Sequence, residues 1–195
     1  MQVVVVFAHP NADSFGHAIA QRAAAGARAA GHTVTLLDLY ALGVGAAMSP
    51  AEHQAYHGET PILDPLIAEH ATLVKAADML VFVYPTWWST SPAILKGWLE
   101  RVMVPGVAFV FNRKGKVRPG LTNVRRIVGI STYGSPRAYV RLINDNGRRM
   151  LTRALRLNTG LRTRTTWLGL YAIDSATAAQ RTAFLDRVDQ KMRSL

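Results

Sequence analysis

The stretch Met79-Leu80-Val81-Phe82-Val83-Tyr84-Pro85-Thr86-Trp87-Trp88-Ser89-Thr90-Ser91-Pro92-Ala93 sets the architecture. Its first six residues are apolar or aromatic without interruption, the pattern of a parallel strand covered on both faces. Ser91-Pro92 then supplies an N-cap and an N1 proline, which opens a helix expected to run to about Met103. Four further apolar or β-branched runs flank this unit, at Val3 to Phe7, Thr33 to Leu39, Arg126 to Thr132 and Thr163 to Tyr171. Helical stretches alternate with them. The first runs from Ser14 to Ala30 and stops before Gly31. Ser49-Pro50-Ala51-Glu52 has the spacing of a capping box and predicts a short helix in the second crossover. A last helix is expected over about Ser175 to Met192. Residues 105 to 121 interrupt the alternation as an irregular excursion with a basic tip at Arg113, Lys114 and Lys116.

Strict alternation implies an α/β fold: a doubly wound, five-stranded parallel sheet with helices on both faces. The 195 residues carry no internal repeat or linker, so one domain over 1–195 is expected. With 49% hydrophobic and 18% charged residues the chain is not of a disordered type. The absence of cysteine excludes a disulfide framework, a Cys-ligated metal and a thiol nucleophile. Neither a basic leader nor an apolar run of membrane-span length is visible, so a cytoplasmic protein without an integral membrane segment is expected. The net charge of +11 is unevenly placed. Residues 1–100 carry 4 basic against 8 acidic side chains, and residues 101–195 carry 19 against 4. This asymmetry suits a surface that meets phosphates, or equally an arginine-rich composition spread over several helices. No basic stretch is interleaved with aromatics, and no nucleic-acid partner is expected.

In a doubly wound sheet ordered 2-1-3-4-5 the ligand crevice lies at the carboxyl ends of strands 1 and 3, where the strand order reverses. The two least generic loops fall there. After strand 1, Ala8-His9-Pro10-Asn11-Ala12-Asp13-Ser14-Phe15-Gly16 opens a helix whose N-terminal N–H groups and field favour an anion such as a phosphate. Ser14 or Asp13 is also an ordinary helix cap, and His9 an ordinary turn residue. After strand 3, Trp87 and Trp88 cannot both enter one core, so at least one indole is free to line a flat apolar pocket. Packing of the indoles on the next helix is the alternative. Together the loops describe a flat ring with a phosphate tail. Neither G-x-G-x-x-G nor a Walker A motif occurs.

These residues also carry a family resemblance. Phe7-Ala8-His9-Pro10 with Ser14-Phe15, then Pro85-Thr86-Trp87-Trp88 and Pro92-Ala93-Ile94-Leu95-Lys96-Gly97-Trp98 with Arg101-Val102, resemble the flavodoxin-like NAD(P)H:quinone reductases. The resemblance implies a flavodoxin-like sheet, a bound flavin (FMN rather than FAD, since a long C-terminal extension is lacking), and a homodimer with sites at its interface. The implied activity is hydride transfer from NAD(P)H through flavin to a quinone-like acceptor. By position, His9, Ser14, Phe15 and Gly16 would cradle the flavin phosphate, and Pro85, Thr86, Trp87 and Trp88 would line the flavin ring. Thr132, Tyr133 and Gly134 would form a third flavin loop, with Tyr133 where a second glycine is common. Tyr139 and Trp88 would serve the reaction. The histidine that accompanies this tyrosine in larger members has no counterpart in Ile143-Asn144-Asp145-Asn146. Two other functions stay open at this point: a one-electron carrier of flavodoxin type, and an accessory subunit of a cation-efflux transporter.

Other motifs lead less far. His53 and His57 lie one helical turn apart beside Glu52 and Glu59, but lack a third ligand, and no metal site is expected. Asn112 to Arg118 is expected to be a solvated loop, with an NADPH 2′-phosphate contact as the second option. No G-x-S-x-G elbow or catalytic triad is present.

Overall fold

From its amino terminus the computed structural model, which describes residues 1–195, runs through β1 (Gln2–Phe7), α1 (Phe15–Ala29), β2 (Thr33–Asp38), α2 (Pro50–Ala55), α3 (Pro65–Ala76), β3 (Met79–Thr86) and α4 (Ala93–Val102). It continues through β4 (Phe109–Phe111), β5 (Val117–Pro119), β6 (Arg126–Tyr133), α5 (Arg137–Leu142), α6 (Asn146–Arg149), a π-helical turn (Met150–Leu155), α7 (Arg156–Thr159), β7 (Arg164–Leu170) and α8 (Ala178–Arg193). Five strands pair in parallel in the order β2-β1-β3-β6-β7, the doubly wound order expected.

Period-two alternation along buried strands feeds two cores. Val3, Val5 and Phe7 of β1, with Met79, Val81 and Val83 of β3, pack on the side of α1 and α8. Val4 and Val6, with Leu80, Phe82 and Tyr84, pack on the side of α3 and α4. Each fully buried Val, Leu or Phe contributes roughly 1.5–3 kcal/mol.

Several boundaries differ from expectation for local reasons. Ser14 caps α1 by accepting the His17 N–H, and Gly31 adopts φ 79° just beyond its end. The second crossover holds two helices. The Ser49 capping box opens α2, while Asp64 caps the longer α3 and Pro65 stands at its first position. At α4 the N-cap is Pro92, not Ser91, whose hydroxyl is buried without a partner. The last helix is capped by Thr177 through a capping box with Gln180. The excursion at 105–121 contains an antiparallel hairpin, β4–β5, whose tip is held by the Asn112 side chain accepting the N–H groups of Lys114 and Lys116. Finally, β3 includes Pro85 and Thr86. Its pairing with β1 ends at Val83, so the missing N–H of Pro85 deprives no ladder, while pairing with β6 continues to Thr86 opposite Tyr133.

The Pro-Ala-x-Leu-Lys-Gly-Trp block has a packing explanation. A Cβ on Gly97 would stand 1.7 Å from the carbonyl oxygen of Ala46, so only glycine lets α4 lie against that backbone. Trp98 is fully buried and donates its indole N–H to His70 Nδ1 at 3.1 Å. Arg101 is buried as well, held by Glu52 Oε1 and Asp64 Oδ2, both at 2.7 Å, and by the Gly45 carbonyl.

Candidate functional site

Because the chain turns from β2 back across β1 to β3, the loops after β1 and β3 diverge and leave a crevice at their carboxyl ends. On the β1 side the backbone is folded by short polar contacts. His9 Nδ1 accepts the Asn11 N–H at 3.0 Å, Asn11 Oδ1 accepts that of Asp13 at 2.7 Å, and Ser14 Oγ accepts that of His17 at 3.1 Å. The start of α1 leaves the N–H groups of Phe15 and Gly16 without intrahelical carbonyls. Gly16 sits close under Phe7, Ser14 and His9. The Phe15 side chain turns away to pack on Phe184 of α8, so this residue offers only its backbone to the loop.

On the β3 side Trp87 and Thr90 exchange two backbone hydrogen bonds, of 3.0 and 3.1 Å, around the two-residue turn Trp88-Ser89. Both turn residues adopt left-handed φ, 48° and 65°, which neither glycine nor asparagine relieves. Such backbone costs about 1–2 kcal/mol per residue. It projects Trp88 outward, 98% exposed, and leaves Trp87 half-exposed with its ring 5.7 Å from that of His9. Both indoles are therefore outside the core, and His9 with Trp87 joins the first two loops.

The remaining candidates gather around a cleft of about 370 Å³ between the β3 turn and the β6–α5 segment. Thr86, Trp88, Tyr133, Gly134 and Tyr139 line it, together with Asp145. Thr132 continues β6 opposite Pro85, and the Thr86 hydroxyl meets that of Ser131 at 2.9 Å. The expected residues thus form two neighbouring groups. His9, Ser14, Gly16 and Trp87 gather at the β1 loop, Thr86, Trp88, Tyr133, Gly134 and Tyr139 line the cleft, and Pro85 and Thr132 pair in the sheet beside it without lining it.

Tyr133 is almost wholly buried. Its ring stacks on Tyr171 at 4.6 Å, and its hydroxyl donates to the two Asp145 carboxylate oxygens at 3.1 and 3.2 Å. Burial raises the Asp145 pKa above the ordinary carboxylate range, although Tyr133, the Arg148 N–H and the charges of Arg148 and Arg149 oppose the shift. Burial and the facing Asp145 charge also raise the Tyr133 hydroxyl, which stays protonated as a donor. Asp145 is the site residue that the residue pattern does not single out. Its backbone and that of Asn144 are left-handed, at φ 44° and 82°, and this reversal turns the carboxylate under Tyr133. The one local signal is the Asn-Asp pair, which tolerates that conformation better than most residues.

No group of three or more His, Cys, Asp or Glu side chains is arranged to hold a metal, and Glu52 beside His53 is committed to Arg101. No helix is long and apolar enough to cross a membrane.

A family model described as "Flavodoxin-like fold" matches residues 1–193. An uncharacterized NAD(P)H oxidoreductase of Haemophilus influenzae is 35% identical over 136 residues, covering 69% of this chain and 65% of the relative. The NAD(P)H dehydrogenase [quinone] 1 of Rattus norvegicus is 30% identical over 154 residues, covering 71% and 56%. The chain thus spans less than two thirds of the length of these two relatives. Among solved structures, an NAD(P)H:quinone oxidoreductase of Methanothermobacter marburgensis superposes with a TM-score of 0.83 at 25% identity, covering 98% of this chain and 94% of that one. With its doubly wound sheet and a family-model match over residues 1–193, this chain belongs to the flavodoxin-like-fold family and is similar to its NAD(P)H:quinone reductases.

Proposed function

We propose that the protein is a flavin-dependent reductase that takes hydride from NAD(P)H and delivers it to a quinone-like acceptor. The observation that carries this reading is the meeting, at the carboxyl ends of β1, β3 and β6, of an anion-accepting helix start with an aromatic cleft. The residues present fit a flavin mononucleotide. The unpaired N–H groups of Phe15 and Gly16, with His9 and Ser14, suit a phosphate. Pro85, Thr86 and Trp87 suit the edge and face of a planar ring, and Thr132 to Gly134 close the opposite side.

When bound, flavin supplies the two-electron chemistry. The chain's own residues bind, orient and protonate. Trp88, held outward by its strained turn, offers an indole face on which the visiting nicotinamide and the acceptor ring stack in alternation. The Tyr139 hydroxyl, half-exposed at the cleft, donates a hydrogen bond to the acceptor oxygen as negative charge develops there. Asp145, its pKa raised by burial and its carboxylate held by the Tyr133 hydroxyl, is the acidic group placed to take a proton from water and deliver it to the reduced acceptor. Hydride and one proton together convert the quinone to its hydroquinone, both carbonyl oxygens becoming hydroxyls. Exposed Trp88 and Tyr139 give the cleft an aromatic rim suited to a second copy of the chain, which supports a homodimer.

Titration with FMN tests the phosphate side of this reading. His9→Ala combined with Ser14→Ala should weaken FMN binding by about 3–6 kcal/mol, the value of two hydrogen bonds to a charged group. Stability should fall by only about 1 kcal/mol, from the lost helix cap. Unchanged FMN affinity in the folded double variant would return both residues to purely structural roles.

A further inference from the structure

Beside the acceptor cleft lies a second cleft, of about 450 Å³, with a different character. Arg137 and Arg141, one turn apart on α5, face Arg148, Arg149 and Arg153 from α6 and the π-helical turn. None of these five guanidinium groups forms a salt bridge. The one carboxylate in the cleft is Asp145, already engaged by Tyr133. Five arginines without a salt-bridge partner, converging from α5, α6 and the π-helical turn, are costly as mutual repulsion, and they fit planar, bidentate contacts to phosphate. The cleft also adjoins the first: Val140 and Asp145 line both.

We propose that this arginine cleft binds the phosphates of the reduced dinucleotide and makes NADPH the preferred donor. The inference rests on the reductase reading for the ring in the acceptor cleft and adds the place of the tail. A ring site and a phosphate site that adjoin match one elongated molecule that is flat at one end and anionic at the other. Charge selects between the two dinucleotides. Five arginines less Asp145 leave four positive charges, against about −4 for NADPH, whose pyrophosphate is joined by a 2′-phosphate near −2, and about −2 for NADH. The excess of 19 basic over 4 acidic residues in the second half of the chain thereby acquires a specific use in α5 and α6.

The test uses flavin-loaded protein and the double variant Arg148→Gln, Arg149→Gln. KM is measured with NADPH, NADH and the phosphate-free donor dihydronicotinamide riboside. Adenosine 2′,5′-bisphosphate is titrated separately by calorimetry. A control variant, Arg113→Gln with Lys114→Gln at the hairpin tip, carries the same loss of charge elsewhere. The expected result is an NADPH KM raised at least tenfold more than that of the riboside, with NADH intermediate. Binding of the bisphosphate should be lost in the cleft variant and kept in the hairpin variant. Equal losses for all donors, or a loss of NADPH that follows the hairpin instead, would overturn the proposal while the reductase reading stands. If no donor is oxidised, the reductase reading fails, and the calorimetric arm still decides whether the cleft recognises phosphate.

Discussion

Asp145 concentrates the chemistry that the chain adds for itself, because it stands where the resemblance leaves a histidine missing. Burial raises its pKa, and the Tyr133 hydroxyl donates to its carboxylate. For an acid whose folded pKa is raised, the protonated form predominates below that pKa and is lost as pH rises through it. Turnover should therefore fall on the alkaline side of the Asp145 titration. Asp145→Asn keeps an acceptor for Tyr133 but cannot supply a proton. It should lower the quinone rate on the order of tenfold, equivalent to about 1.4 kcal/mol, and abolish this limb of the pH–rate profile while flavin content is retained. A variant with the parent rate and the parent profile would mean that protons come from solvent alone. Left-handed Trp88, Ser89 and Asp145 all line one cleft, and backbone strain concentrated in this way belongs to sites whose geometry is held for a purpose.

At the scale of elements, α4 is the keystone of one layer. The Glu52–Arg101–Asp64 cluster ties α4 to α2 and to the start of α3. Burial raises the pKa of both carboxyls, but hydrogen bonds from Arg101 and from backbone N–H groups outweigh it, and both end below the ordinary range. Groups with lowered folded pKa stabilise the native state above the unfolded value, and that contribution disappears as pH falls through the folded one. Asp145, with its raised pKa, contributes in the opposite sense. Arg101→Leu should cost about 3–5 kcal/mol at neutral pH, because two carboxylates lose their partner. The difference from the parent chain, followed by urea unfolding, should narrow as pH drops through the carboxylate range; a constant difference would assign the loss to packing. Such ties explain what the residue pattern conceals. The runs at β1, β3 and β6 are legible because strands buried on both faces must be apolar, and the Ser14 cap is legible because helix starts need an acceptor. The partners of Trp98 and Arg101 lie 28 and 49 residues away, and nothing local announces them. The hairpin at β4–β5 is likewise obscured by strands of three residues each, and Ser91 fails as a cap because Pro92 takes that position.

Over the whole molecule, the order β2-β1-β3-β6-β7 brings three loops to one edge, so a site assembled from residues 9 to 145 requires no long-range motion to form. The candidate residues after β1 and β3 could be located from strand order alone, since the crevice position follows from topology. Asp145 and the arginine cleft could not, because they depend on how α5, two left-handed residues and a π-helical turn fold back over β6. The central claim is that this edge carries a flavin which NAD(P)H reduces and a quinone reoxidises. The most direct measurement is anaerobic mixing of FMN-loaded protein with NADPH, then with a soluble benzoquinone, followed by flavin absorbance. The account predicts bleaching by one equivalent of NADPH and full recovery with one equivalent of benzoquinone. Flavin that binds but is not bleached by NADPH or NADH, or a folded protein that takes up no flavin at all, would contradict it.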